Sequence, residues 1–288
     1  MVKFSTLLIS IILVYYTLII LKGEYFMKLK NIFISIFFLI LTNFAFSEEI
    51  LKEINYEKVT VNSLDDIEKW RTYEGLYAFT TVNIDLRKLS PSQKKNTFID
   101  ILLPSINVVN AEIQNDSDII KKLSKKADLN AAEKIYAQNI FKKYRVEYGN
   151  WEQLSSRLII YPTSLILTQG AIESGWGTSR FFRQANNIFG MWSTDPNEPR
   201  LPAKGIRDNG FVPHLKRYLT IKDSVDDFVL NLSRNSAYKN LRKLVNENQL
   251  PQIIATGLIN YSEEKEKYVK KVITTMNYNQ LTEYDKKI

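Results

Sequence analysis

The sequence predicts an α+β chain that is mainly α, a helical body carrying one small β-hairpin lobe. Three observations point there. Apolar residues recur at helical spacing in separate stretches from Ser90 onward. Proline and glycine cluster between residues 190 and 220, where Asp208-Asn209-Gly210 is a hairpin-type turn. No internal repeat or low-complexity tract suggests a solenoid or a fibre instead.

The chain opens on two uncharged apolar runs, Phe4 to Leu21 and Asn31 to Ser47, separated by a patch with Lys22, Glu24, Lys28 and Lys30. Two readings compete. One is a helical hairpin anchored in a membrane, with both runs at the short end for spanning a bilayer. In the other, Met27 opens a secretory signal: Lys28 and Lys30 form its basic start, Ile32 to Leu41 its apolar body and Ala45-Phe46-Ser47 its small-x-small cleavage site. The internal Met27 favours the signal. Either way the remainder of the chain is expected to be exported, to the periplasm or the cell envelope.

Residues 48–89 form an extension of uncertain structure, with short runs at Lys58 to Val61 and Tyr77 to Val82 that have strand character. A domain is expected over 90–280, followed by a tail at 281–288. Ser90-Pro91 is an N-cap with proline in the first turn, ahead of a stripe of Phe98, Ile101, Leu102, Ile106 and Val109. Further helices are expected at about 130–148 and 150–160, from Pro162 towards Glu173, and at Asp223 to Leu232, Ser236 to Val245 and Glu263 to Met276. Between them Gly205-Ile206 and Phe211-Val212 flank the hairpin turn.

Composition excludes several chemistries. The 288 residues include one histidine, His214, and no cysteine. A thiol nucleophile, a disulfide framework and the familiar zinc sets with two or more imidazoles are therefore out. No metal and no cofactor is expected. Of the net charge of +8, residues 1–47 hold +3 and residues 48–288 hold +5. A basic exported domain suits an anionic wall or lipid surface. The lysines come in scattered pairs such as Lys94-Lys95 and Lys270-Lys271, without a long basic block, so nucleic acid is not the expected partner.

Chemistry concentrates in Tyr161 to Trp192. Glu173 ends a strongly apolar helix, directly before Ser174-Gly175-Trp176-Gly177. The negative end of the helix dipole disfavours an ionised carboxylate there, and burial against an indole disfavours it further. Both effects keep an acid protonated near neutral pH, which a general acid for glycoside cleavage requires.

Glu-Ser-Gly-Trp-Gly followed by Asn186-Asn187-Ile188-Phe189-Gly190 resembles the paired signature of the bacterial glucosaminidases, glycoside hydrolase family 73. Asn-Asn-Ile-Phe-Gly-x-Trp, then Asn231, Ala237, Tyr238, Leu241 and Arg242, is similar to the Bax-type branch of that family, as are Pro91 to Lys95 upstream and Gly257 to Ser262 with Tyr268-Val269 downstream. The resemblance spans roughly residues 90–280 and implies a lysozyme-like helical fold. It makes Glu173 the essential acid. Trp176 is implied to wall the cleft and hold Glu173 protonated. Asn187, Phe189 and Gly190 match the loop beside the acid, and Trp192, Tyr218 and Tyr261 are candidate sugar platforms. Gly175 and Gly177 serve backbone geometry.

A two-carboxylate mechanism needs a partner acid, about 5–5.5 Å away for retention or about 6.5–9.5 Å for inversion. Asp195, Glu198 and Asp208 are the candidates in the β lobe; otherwise the substrate's N-acetyl group assists Glu173 alone. The expected function is an exported peptidoglycan hydrolase, an endo-β-N-acetylglucosaminidase acting on the glycan strand. The rivals are a lytic transglycosylase on the same substrate and a non-catalytic cell-wall-binding module.

Overall fold

The computed structural model describes residue 51 and residues 53–205 and 212–286. The apolar leader and Asp208 with its turn lie outside the described residues. From Glu53 onward the chain packs as one unit. Among the described residues no helix is long and apolar enough to cross a membrane.

The extension is structured. Strand β1 (Glu57–Val61), helix α1 (Leu64–Arg71) and strand β2 (Tyr77–Val82) form a parallel pair joined through the helix. Ser63 and Asp66 close a capping box at the start of α1. The register shifts after Val59, and Thr80 drops out of the pairing; its hydroxyl donates to the Val59 carbonyl at 3.1 Å. Val61 and Phe79 are fully buried in the same core as the later helices. The packing therefore runs through the boundary expected at residue 89.

Helix α2 (Pro91–Leu123) begins at the Ser90 cap with Gln93 completing the capping box, and Pro104 lies buried within it. Proline there removes one ladder hydrogen bond. The expected stripe is correct: Phe98, Ile101, Leu102, Ile106 and Val109 are all buried. Helices α3 (Ala131–Lys143) and α4 (Trp151–Ser155) follow, both shorter than expected. Arg145 stands in the left-handed region just after α3.

Helix α5 (Thr163–Ser174) is the centre of the molecule. Every residue from Thr163 to Ala171 is buried, the mark of a helix enclosed on all sides. It packs against α2, against the C-terminal helix and against the final 3₁₀ turn, Leu281–Lys286. That last contact revises the view of 281–288 as a tail. Leu281 is fully buried, and the Asp285 carboxylate accepts the main-chain N–H of Ser164 at 2.8 Å. Pro162 offers no side-chain cap to α5, so the chain terminus supplies one from 121 residues away.

After the short α6 (Arg180–Ala185) come β3 (Arg200–Pro202) and β4 (His214–Lys216), an antiparallel pair. The hairpin is present, but its ladder lies further from the turn than Gly205-Ile206 and Phe211-Val212. Helices α7 (Ile221–Arg234), α8 (Lys239–Asn246), α9 (Pro251–Ile254) and α10 (Glu266–Tyr278) complete the chain. A 3₁₀ turn at Ser236–Tyr238 splits the helix expected from Ser236.

Candidate active site

Gly175 ends α5 in the left-handed conformation at φ 59°, and Gly177 follows at φ 76°. These values explain both glycines and leave Glu173 on the last turn, at the edge of the core. Glu173 Oε1 accepts a hydrogen bond from the Tyr268 hydroxyl at 2.7 Å. The same hydroxyl accepts from Gln169 Nε2 at 3.2 Å. Gln169, one turn before Glu173, is wholly buried, and its Oε1 has no partner.

The electrostatics suit an acid. Burial raises the Glu173 pKa above the ordinary carboxylate value, and the Glu264 charge adds to the rise. The Tyr268 hydrogen bond and the Lys271 charge oppose it without cancelling it. Burial and the Glu173 charge raise Tyr268 in turn, so its phenol stays a donor.

The rings beside Glu173 form a supported stack. Tyr261 lies parallel to Tyr268, centroids 5.2 Å apart, and edge-on to Phe228 at 6.1 Å. The Tyr261 hydroxyl donates to the Phe189 carbonyl at 3.1 Å. Phe189 is itself buried and stacked face to face on Phe228 at 3.9 Å. Its expected contact with substrate is thus corrected to a core position.

Asn187 is corrected in the same way. It is 1% exposed, and its amide is committed to the main chain: Nδ2 donates to the carbonyls of Met191 and Lys216 at 2.9 and 2.8 Å, while Oδ1 accepts from Met191 N at 2.9 Å. It closes the 187–191 loop onto β4. Gly190 stands at φ 66°, a backbone demand. Trp192 is about half exposed and bridges to Leu215.

The remaining expected residues lie in other settings. The aromatic side chain hydrogen-bonded to Glu173 is Tyr268; the Trp176 indole packs edge-on against Phe98 at 5.8 Å, under the Lys95 ammonium at 5.2 Å. The Tyr218 hydroxyl donates to Asp227 Oδ2 at 2.7 Å, an oxygen that also accepts from Lys216 at 2.8 Å. Asp195 is exposed and caps its own turn through Asn197 N. Glu198 lies 4.0 Å from Lys216. No hydrogen bond joins Asp195 or Glu198 to the Glu173–Tyr268–Gln169 chain among the described residues. Sequence reasoning missed Gln169 and Tyr268 as site residues. The signals were a lone amide one turn before Glu173 on an apolar helix, and a tyrosine quoted only as part of a closing motif.

Residues 149–281 match the glucosaminidase family, described as mannosyl-glycoprotein endo-beta-N-acetylglucosaminidase. The protein bax of Escherichia coli (strain K12) is 29% identical over 218 residues, covering 71% of this chain and 77% of that protein. Among solved structures, the catalytic domain of the autolysin Auto from Listeria monocytogenes is 20% identical with a TM-score of 0.37, covering 60% of this chain and 96% of its own. The glycoside hydrolase domain of Salmonella typhimurium FlgJ is 22% identical with a TM-score of 0.35, covering 51% of this chain and 90% of its own. The protein is an enzyme of the glycoside hydrolase type. More narrowly, residues 149–281 carry a glucosaminidase-family domain, and the chain is similar to the protein bax over most of its length.

Proposed function

We propose that this enzyme is an exported endo-β-N-acetylglucosaminidase that cuts β-1,4 bonds in the glycan strand of peptidoglycan, with Glu173 as general acid. The observation that carries the reading is the Glu173–Tyr268 pair. Tyr268 fixes Oε1, so the proton on Oε2 is presented to the glycosidic oxygen as the bond breaks. Burial favours the protonated form that a general acid needs. The half-exposed Trp192 supplies a ring face on which a pyranose C–H face packs, and the part-buried Tyr261, stacked on Tyr268, is a second candidate platform. Export rests on the leader sequence at Met27 to Ser47.

The test is digestion of purified cell-wall sacculi with the wild-type chain and with Glu173→Gln. New reducing N-acetylglucosamine ends from the wild type alone support the proposal; intact glycan strands sink it. Transglycosylation is the second reading, favoured by the placement of Asp195 in a turn of its own and of Glu198 beside Lys216. Its product carries an anhydro ring, which mass spectrometry of the same digest distinguishes.

A further inference from the structure

Beside the Tyr261 turn lies a cavity of about 720 Å³ whose walls include Gln153, Arg157, Lys239, Arg242, Lys243 and Asn260. Four of its lining residues are cationic and none is acidic. Arg242 is 7% exposed, and its Nη1 donates to the carbonyls of Leu232 and Asn235 at 2.9 and 2.7 Å. Arg157 Nη1 donates to the carbonyls of Tyr144 and Arg145 at 2.8 and 3.0 Å.

Each guanidinium thus spends one nitrogen on tying down the end of a helix, α7 or α3. Their other N–H groups meet no protein acceptor among the described residues, and no carboxylate pairs with either arginine there. Of the four cations, Lys243 alone has an acidic neighbour among the described residues, Glu247 at 3.8 Å. Guanidinium N–H groups held rigid and left open form a fork suited to carboxylate. The volume exceeds that of a single small anion and falls in the range of organic ligands, and the Gln153 and Asn240 amides line the same cavity as the charges. Carboxylates with intervening amides describe a short acidic peptide.

The cavity adjoins the catalytic support. Asn260 precedes Tyr261 in the chain, and Ala237 precedes Tyr238, whose ring is 6.3 Å from that of Tyr261. We propose that this cavity binds a carboxylate-bearing peptide substituent of the glycan, seating the strand beside Glu173. The assignment rests on the proposed glycan substrate.

The test uses the full chain carrying Glu173→Gln, titrated by calorimetry with peptides released from sacculi, with the same peptides amidated at their carboxyl groups, and with inorganic phosphate. Native peptides are expected to bind at least about tenfold more tightly than amidated ones, and Lys239→Glu, at an exposed position, to weaken them about tenfold with an unchanged melting temperature. Arg157→Gln gives the same loss through a second wall residue. Equal binding of native and amidated peptides would overturn the proposal, as would phosphate binding as tightly as the peptides. Binding is read without turnover, so failure of the glycosidase reading appears separately, in the wild-type digest.

Discussion

The Tyr268 hydroxyl stands 2.7 Å from Oε1 of Glu173, with Gln169 Nε2 behind it at 3.2 Å. A buried amide therefore orients a phenol, and the phenol orients the carboxyl group. Tyr268→Phe keeps the ring and its stack on Tyr261 but frees the carboxyl to rotate. Removing a donor that favours the ionised form also raises the Glu173 pKa further. The expected result is a fall in kcat of about 10–100-fold, as for a misplaced catalytic group. The alkaline limb of the pH–rate profile should move to higher pH. An unmoved limb with unchanged kcat would remove Tyr268 from the mechanism.

Glu173→Gln should separate activity from stability. Loss of a general acid costs about 10²–10⁴ in rate. The fold responds oppositely. Burial holds the folded-state pKa of Glu173 above its unfolded value, so the folded state binds the proton more strongly between the two values. Stability contributed by this group is present below the unfolded pKa and is lost as pH rises through the folded pKa. Above its folded-state pKa the wild type therefore carries a buried charge that the glutamine variant lacks. Thermal unfolding should show Glu173→Gln gaining on wild type as pH rises through the folded-state pKa of Glu173, with the gap closing as pH falls below it. A melting difference that does not change with pH contradicts the assignment.

Local chemistry was legible in the sequence, and long-range placement was not. Ser90-Pro91, the apolar stripe of α2 and the glycine stop after Glu173 were readable because each depends on neighbours within one or two turns. The position of Glu173 on the last turn of α5 was legible for the same reason. The parallel pairing of β1 with β2 was hidden, since nothing within Lys58 to Val61 specifies a partner some twenty residues on. The roles expected of Asn187 and Phe189 reversed because burial is set by Met191, Lys216 and Phe228, two of them distant in sequence. Tyr268 touches Glu173 only because α10 folds back along α5. Aromatic character alone did not tell Tyr268 from Tyr218, whose hydroxyl is spent on Asp227.

Asp285 ties the final 3₁₀ turn to helix α5. Its Oδ1 accepts from Ser164 N at 2.8 Å, where Pro162 leaves the helix without a side-chain cap. Asp285→Ala should cost about 1 kcal/mol, the usual value of a lost N-cap. Deleting residues 281–288 also removes the fully buried Leu281, and loss of a core leucine adds about 2–5 kcal/mol. Urea midpoints of the two proteins test this. If the deletion costs no more than Asp285→Ala, the last turn is not part of the core.

Two glycines offer a matched pair of probes for how tightly the catalytic support is held. A Cβ on Gly257 would lie 2.4 Å from Leu241 Cα and 2.7 Å from Leu241 N, contacts with main chain that a side-chain rotation cannot relieve. A Cβ on Gly170 would meet Leu102 Cδ2 at 2.7 Å, the far end of a flexible side chain. Gly257→Ala must push α8 away from the Gly257–Tyr261 turn, with a cost at or above the top of the usual overpacking range, about 3 kcal/mol. Gly170→Ala gains helix propensity of about 1 kcal/mol against a contact that the leucine can yield, so its net cost should be below about 1.5 kcal/mol. Because Leu241 adjoins Arg242 and the turn carries Tyr261, Gly257→Ala should also lower activity at temperatures where the protein is still folded. Urea unfolding of both variants beside wild type measures the difference. Equal midpoints would mean that the turn and α8 can separate freely, and that the Tyr261 stack is held by something other than this close approach.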